Sequence, residues 1–146
     1  MASKATQAIW RQHEVLLPKL TRGCHLVTDE ISRQIDLHGV RVGLAHIFCC
    51  HTSASLCVNE SYDPDVRSDT KNWLDDLAPE TRDWEHADEG PDDMPAHAKT
   101  AITHTDITVP ITNGRFNMGT WQGIWLLEHR DHASKRKLVI TIQGTS

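Results

Sequence analysis

Apolar and polar positions alternate along much of the chain, and a period of two predicts strands more often than helices. The first 20 residues read as one or two strands, with Val15-Leu16-Leu17 closed by Pro18, and residues 24–28 form a short further strand. Thr28 or Asp29 offers an N-cap for a short helix that carries Ile31 and Ile35 and breaks at Gly39. Residues 43–50 are apolar at both parities, the pattern of a central strand covered above and below. Residues 54–58 continue as a strand beyond His51-Thr52-Ser53. The clearest helix opens with Asp63 as cap and Pro64 at its first position, puts Val66, Trp73, Leu74 and Leu77 on one face, and stops at Pro79.

Residues 80–93 carry nine charged or histidine side chains and little that is apolar except Trp84, which reads as a long surface loop. A short helix follows from Pro95 to about Ile102. The last third is β: Ile107, Val109 and Ile111 alternate, Asn113-Gly114 signals a type I′ hairpin, and Phe116 and Met118 lie across from them. Gly119-Thr-Trp-Gln-Gly123 reads as a turn or bulge feeding a strand over 124–129, and Leu138, Ile140 and Ile142 mark a closing strand. Strands outnumber helices in a mixed order. The expectation is one α+β domain, residues 1–146, with a largely antiparallel sheet and two or three short helices.

Composition narrows the function classes. The 146 residues carry 15 basic and 20 acidic side chains, a net charge of −5, so the chain lacks the basic field of a general nucleic-acid binder. No apolar run is long enough to span a bilayer, and the N-terminal stretch has no signal-peptide core, so the cytoplasm is the expected compartment. Four cysteines without a C-x-x-C pair are read there as thiols. Ten histidines, scattered rather than clustered, make a site worth seeking.

Three constellations are candidates. Cys49, His51, Ser53, Ser55 and Cys57 share a strand parity, unless the Thr-Ser pair turns the chain. They read either as a metal or anion site at His51 or as a buried histidine among small core residues. His97 lies on the flank of the apolar stripe of its helix, and Asp92 and Asp93 precede it. The aspartates read as caps, or as groups converging with His51, His86 and His97 on a divalent cation that keeps an open position. Gly119–Gly123 offers backbone donors and an indole wall in Thr120, Trp121 and Gln122, and Arg115 and Arg130 suit a phosphate. Its plain alternative is a bulge with a packed tryptophan and solvated rim charges. No P-loop and no G-x-S-x-G elbow occurs.

His51-Thr-Ser-Ala-Ser, Asn59-Glu60, Asp63-Pro-Asp-Val66, His86 with Glu89-Gly90, Asp92-Asp-Met-Pro-Ala-His97, Asn113-Gly-Arg115, Gly119-Thr-Trp-Gln-Gly123 and Glu128-His-Arg130, in this order, resemble the YjbQ family, also labelled secondary thiamine-phosphate synthase. The resemblance runs from about Thr6 to Gly144; Trp84 stands where the family often has tyrosine, and His104 where small residues are usual. It implies a homotrimer of α+β subunits and a metal pocket at His51, His86 and His97, with Asp92, Gln122 and Glu128 close by. It also implies a weak transferase that joins a hydroxymethylpyrimidine diphosphate to a thiazole phosphate and releases pyrophosphate. Asp92, His97 and Glu128 are then the expected catalytic groups. Arg115, Thr120, Trp121, Gln122 and Arg130 are the expected substrate contacts. Zinc is the expected ion and magnesium the second choice, since imidazoles favour late transition metals while diphosphate chemistry favours magnesium. The alternatives are a metal-assisted hydrolase and a trimeric metal- or ligand-binding module whose catalysis is incidental.

Overall fold

A computed structural model describes residues 3–146. Eight strands form two antiparallel sheets. The larger has the order β1 (Ala8–Leu16), β8 (Lys137–Thr145), β3 (Val42–Cys49), β5 (Asp106–Thr112) and β6 (Arg115–Phe116). The smaller sets β7 (Gln122–Glu128) between β2 (Gly23–Leu26) and β4 (Ala54–Glu60). One core fills the space between them. Val15, Ala45, Ile47, Val109, Ile140 and Ile142 enter it from the large sheet, and Ala54, Leu56, Ile124 and Leu126 from the small one. The opposite parity of the small sheet, which includes Ser55, Trp125, Leu127 and His129, lies beneath the helix layer of α2 (Pro64–Leu77) and α3 (Asp93–Thr103). Among the described residues no helix is long and apolar enough to cross a membrane.

The α+β class and the antiparallel sheets follow the sequence pattern, and the departures have local causes. Helix α1 (Thr28–Gln34) buries Ile31 but has no side-chain cap, because the Thr28 hydroxyl instead accepts from the Ile124 N–H at 2.8 Å. Helix α2 is capped by Asp63 as expected, yet of its predicted apolar face only Leu74 is buried, while Trp73 and Leu77 stay exposed. Strand β3 is central but covered on one side only. Trp10, Leu44 and Phe48, on the outer face of the large sheet, are 66%, 49% and 42% exposed, which corrects the expectation of a strand covered above and below.

The hairpin tip is the type I′ turn its dipeptide predicts, with Asn113 and Gly114 both at positive φ, 50° and 75°. Phe116 pairs with Ile111, whereas Met118 packs on the core from the loop beyond the strand. At Leu16, the last residue of β1, a side chain takes the place of a neighbouring strand. The Gln34 amide accepts from the Leu16 N–H at 3.3 Å and donates to the Leu16 carbonyl at 3.1 Å. All four cysteines are free thiols, and burial pushes Cys24 and Cys49 up to about 11 and Cys57 to about 12.

Candidate functional site

Asp93 and His97 stand four residues apart on α3, the spacing that stacks two side chains on one helical face. The loop before the helix returns His86 to the same point. Oδ2 of the buried Asp93 lies 2.7 Å from His86 Nε2 and 3.1 Å from His97 Nε2. The three ligand atoms all lie within 4.8 Å of one another, and the two rings sit 5.6 Å apart at their centroids. Arg130 donates through Nη1 to the other oxygen of Asp93, through Nε to Asp92 Oδ2 at 3.0 Å, and through Nη2 to the Glu89 carbonyl at 3.0 Å.

Burial pushes the Asp93 carboxyl up, but the His86 hydrogen bond and the charges of His97 and Arg130 outweigh it and hold it below the usual carboxylate range. Asp92 is likewise held low: burial raises it, and the Asp131 N–H and Arg130 more than compensate. Neither aspartate caps α3. Asp92 sits at the cap position but turns its carboxylate to Arg130 and the Asp131 N–H, which corrects the reading of this pair as helix caps.

The donor set suits a cation. His97 donates its Nδ1–H to the Thr52 carbonyl at 3.0 Å, so in the neutral ring the lone pair is on Nε2 and faces Asp93. A lone pair and a carboxylate repel at that distance unless the ring is protonated or a cation lies between them. Two imidazole nitrogens and a carboxylate oxygen form a ligand set familiar from zinc and other late transition metals, and the Thr52 carbonyl is the outer partner that orients such a ligand. Beside His86 opens a cleft of about 400 Å³ lined by Arg82, Asp83, Trp84, Glu85 and Met94. The Trp84 indole is fixed by a 3.0 Å bond to the Pro79 carbonyl, with the Arg82 guanidinium over its ring.

The remaining predicted residues fall elsewhere. His51 is near in sequence to Thr52, but its Nε2 accepts from the Lys137 N–H at 2.8 Å, and burial followed by the Arg136 charge lowers its pKa. The structure therefore brings together two of the three expected imidazoles and sets Asp93 between them. Glu128 is buried, and both its oxygens are held by Arg136, at 2.7 Å from Nε and 2.6 Å from Nη2. This places Glu128 as the anchor of the 129–136 segment rather than as a free acid or base.

Gln122 starts the strand that Glu128 ends, so the two are about 20 Å apart at 3.3–3.4 Å per residue. The Gln122 amide closes its own turn, accepting from the Gly119 N–H at 2.8 Å. Thr120 and Trp121 are exposed there, Trp121 with its ring 5.7 Å from Tyr62. Gly123 answers to packing rather than to a ligand: a Cβ on it would meet Leu26 Cδ2 at 2.8 Å. Arg115 lies at the hairpin tip. Only Arg130 of the expected substrate contacts adjoins the cluster.

A chain of hydrogen bonds joins Thr103, Ser55 and His129, a linkage not legible in their spacing along the chain. The Thr103 hydroxyl donates to the Lys99 carbonyl at 2.7 Å and so accepts from the Ser55 hydroxyl at 2.6 Å, which leaves Ser55 to accept from His129 Nε2–H at 2.6 Å. Burial, then the Lys99 and Arg136 charges, pushes His129 down to about 3. Together with the buried Lys99, bonded to Asp75 at 2.6 Å, this chain ties α3 to the small sheet and to α2.

Solved structures share this architecture. A YbjQ-like protein of unknown function from Sulfolobus solfataricus superposes with a TM-score of 0.76 over 96% of this chain and 99% of its own, at 21% identity. A structure from Clostridium acetobutylicum, of the yjbq/upf0047 family, gives 0.76 over 87% and 96%, at 31% identity. The fold is thus that of a class of small two-sheet α+β proteins. The family model described as UPF0047 protein YjbQ-like matches residues 13–145, and the chain belongs to that family. UPF0047 protein YjbQ of Escherichia coli O157:H7 is 45% identical over 93% of this chain and 99% of its own length, and a UPF0047 protein of Synechocystis is 41% identical over 96% and 97%.

Proposed function

We propose that the chain is a metal-dependent enzyme acting on small molecules at the His86–Asp93–His97 group, with zinc as the first ion to test and magnesium the second. The observation that supports this is the His97 ring, whose Nδ1–H bond to Thr52 turns Nε2 toward a carboxylate oxygen that also meets His86. When bound, such a cation would supply Lewis acidity and a fixed positive charge beside the cleft that His86 lines. Asp93 balances that charge and Arg130 holds Asp93 in place, while Trp84 walls the space where a substrate would lie.

The transfer that joins a pyrimidine diphosphate to a thiazole phosphate is the first activity to assay, on the strength of the resemblance. A second reading, metal-assisted hydrolysis, has its own support: Arg130, the arginine at the cluster, is committed to Asp92 and Asp93 and is not free to neutralise a diphosphate. The proposal includes a homotrimer. The uncovered apolar positions on the outer face of the large sheet are the surface another copy would cover.

The deciding experiment starts from protein purified without affinity resin or chelator, analysed for metal, then stripped and reconstituted. The expected result is one late transition metal per chain and turnover, by condensation or by phosphate release, that is lost on stripping and in His97→Ala. Bound metal without turnover in the wild type would leave a binding module. Metal content and turnover both unchanged in His97→Ala would overturn the proposal.

A further inference from the structure

One guanidinium in this acidic chain has nothing to hold. Arg67 stands near the start of α2, and the acids around it are taken: Asp75 by Lys71, Lys99 and Arg22, and Glu30 by Arg33. Its Nη1 is shut off from solvent without a hydrogen-bond partner. Among the described residues it is the one buried side-chain nitrogen or oxygen left so. Buried donors are nearly always paired, and an orphan of this kind points to an acceptor supplied from outside the chain.

Arg67 lines a cleft of about 520 Å³ together with Leu20, Cys24, Leu26, Asp29 and Glu30. One wall of it is β2, an outer strand of the small sheet. The Val27 N–H bonds the Ile124 carbonyl opposite it at 2.9 Å, so Gly23 and His25 share its parity and pair with β7. Cys24 and Leu26 therefore turn their backbone N–H and carbonyl groups to the open edge. The Cys24 thiol gives Arg67 no counter-charge, because burial outweighs the field of the arginine and keeps the thiol neutral, pushed up to about 11.

From this placement we infer that the cleft binds a small organic monocarboxylate, its oxygens on the Arg67 guanidinium and its apolar body on Leu20 and Leu26. A carboxylate matches the planar donors of a guanidinium, and the cleft has the volume of a small-molecule site. Nη1 meets the ligand by a swing of the guanidinium toward the cleft that Arg67 already lines. The single charge follows from the other walls. Asp29, which is exposed, and Glu30 repel a dianion such as phosphate more strongly than a monoanion. Helix α2 packs on β2 and α3 on β4, with β7 between those strands, so the cleft and the His86–Asp93–His97 group lie on opposite flanks of the small sheet. The inference stands without the metal reading.

Backbone amide and arginine Nε–H NMR spectra of the full chain, titrated at constant ionic strength with benzoate, benzamide and inorganic phosphate, test the inference. The expected result is saturable shifts of the Cys24 and Leu26 amides and of the Arg67 Nε–H with benzoate. Binding is expected to weaken at least tenfold for benzamide, for phosphate, and for benzoate in Arg67→Gln and Arg67→Met, and to be retained in His97→Ala. No saturable shift with benzoate, benzamide or phosphate binding as tightly, shifts centred on Asp92–His97, or benzoate binding indifferent to both substitutions of Arg67 would overturn it.

Discussion

His97 donates its Nδ1–H to the carbonyl of Thr52, 3.0 Å away, and that bond decides which nitrogen of the ring faces Asp93. A backbone carbonyl cannot change protonation, so the orientation holds across the pH range in which the ring is neutral. Replacing His97 by alanine removes one of the proposed ligands while keeping a good helix former on α3. The expected outcome is metal affinity lowered at least 100-fold, read by competition with a chromophoric chelator, and a melting temperature changed by only a few degrees in the stripped protein.

The Glu128–Arg136 pair is buried and bidentate, and Arg136 also donates to the Ser53 hydroxyl at 3.0 Å. Removing one partner leaves the other charge unpaired in the interior. Glu128→Gln and Arg136→Met are each expected to lower unfolding free energy by about 3–5 kcal/mol. Denaturant titration checks this, and the Glu128→Leu/Arg136→Met double variant should recover much of the loss.

His129 is neutral in the folded chain until about pH 3, whereas in the unfolded chain it takes a proton near 6.5. The unfolded state therefore binds more protons between those values, and stability falls as the pH drops through 6.5, levelling below about 3. This one group sets a loss of roughly 4–5 kcal/mol across the window, at 1.36 kcal/mol per pH unit. Unfolding measured from pH 7 to 4 should show that slope in the wild type and lack that share of it in His129→Gln, where the amide can still donate to Ser55.

Gly123→Ala places a methyl 2.8 Å from Leu26 Cδ2 and 2.9 Å from Ser61 Cβ. A cost of about 1–3 kcal/mol is expected, with metal affinity unchanged. Trp121→Ala is the matched control. The indole is 61% exposed, so its removal should barely move the stability of the chain measured alone.

Phe48→Glu and Leu44→Glu each put a charge on the uncovered face of the large sheet without touching the core. Light scattering should report a trimer for the wild type and a monomer for the double variant. A trimer that persists in the double variant would remove this face as the interface.

Strand order of burial was legible wherever one face met the core, because alternation is a local signal: Val109 and Ile111, and Leu138, Ile140 and Ile142, fall inward as read. Where it misled, the cause was a surface the sequence could not see. Leu44 and Phe48 read as buried by their composition, although they lie on a face this chain does not cover. Trp73 and Leu77 share a helical face with Leu74, but the small sheet reaches only Leu74.

At the site, His86 and His97 were candidates by residue type. Asp93 was readable from its four-residue spacing to His97, yet lost weight to the capping role that any aspartate before a helix suggests. The fates of Glu128 and Gln122 were hidden because they depend on Arg136, eight residues on, and on a turn that Gln122 closes upon itself. Motif order alone could not say which members of the set share a neighbourhood. That depends on which end of β7 each occupies.

The primary amide of Gln34 imitates a stretch of neighbouring strand, offering Leu16 one acceptor and one donor at the spacing a peptide group would. The rim of β1 therefore ends in a group that satisfies it without inviting another chain to add on. Swapping that amide for an alkyl group would leave the Leu16 N–H and carbonyl bare at the end of a partly greasy ribbon. The consequence to look for is fibre growth on storage rather than any change in what the molecule binds.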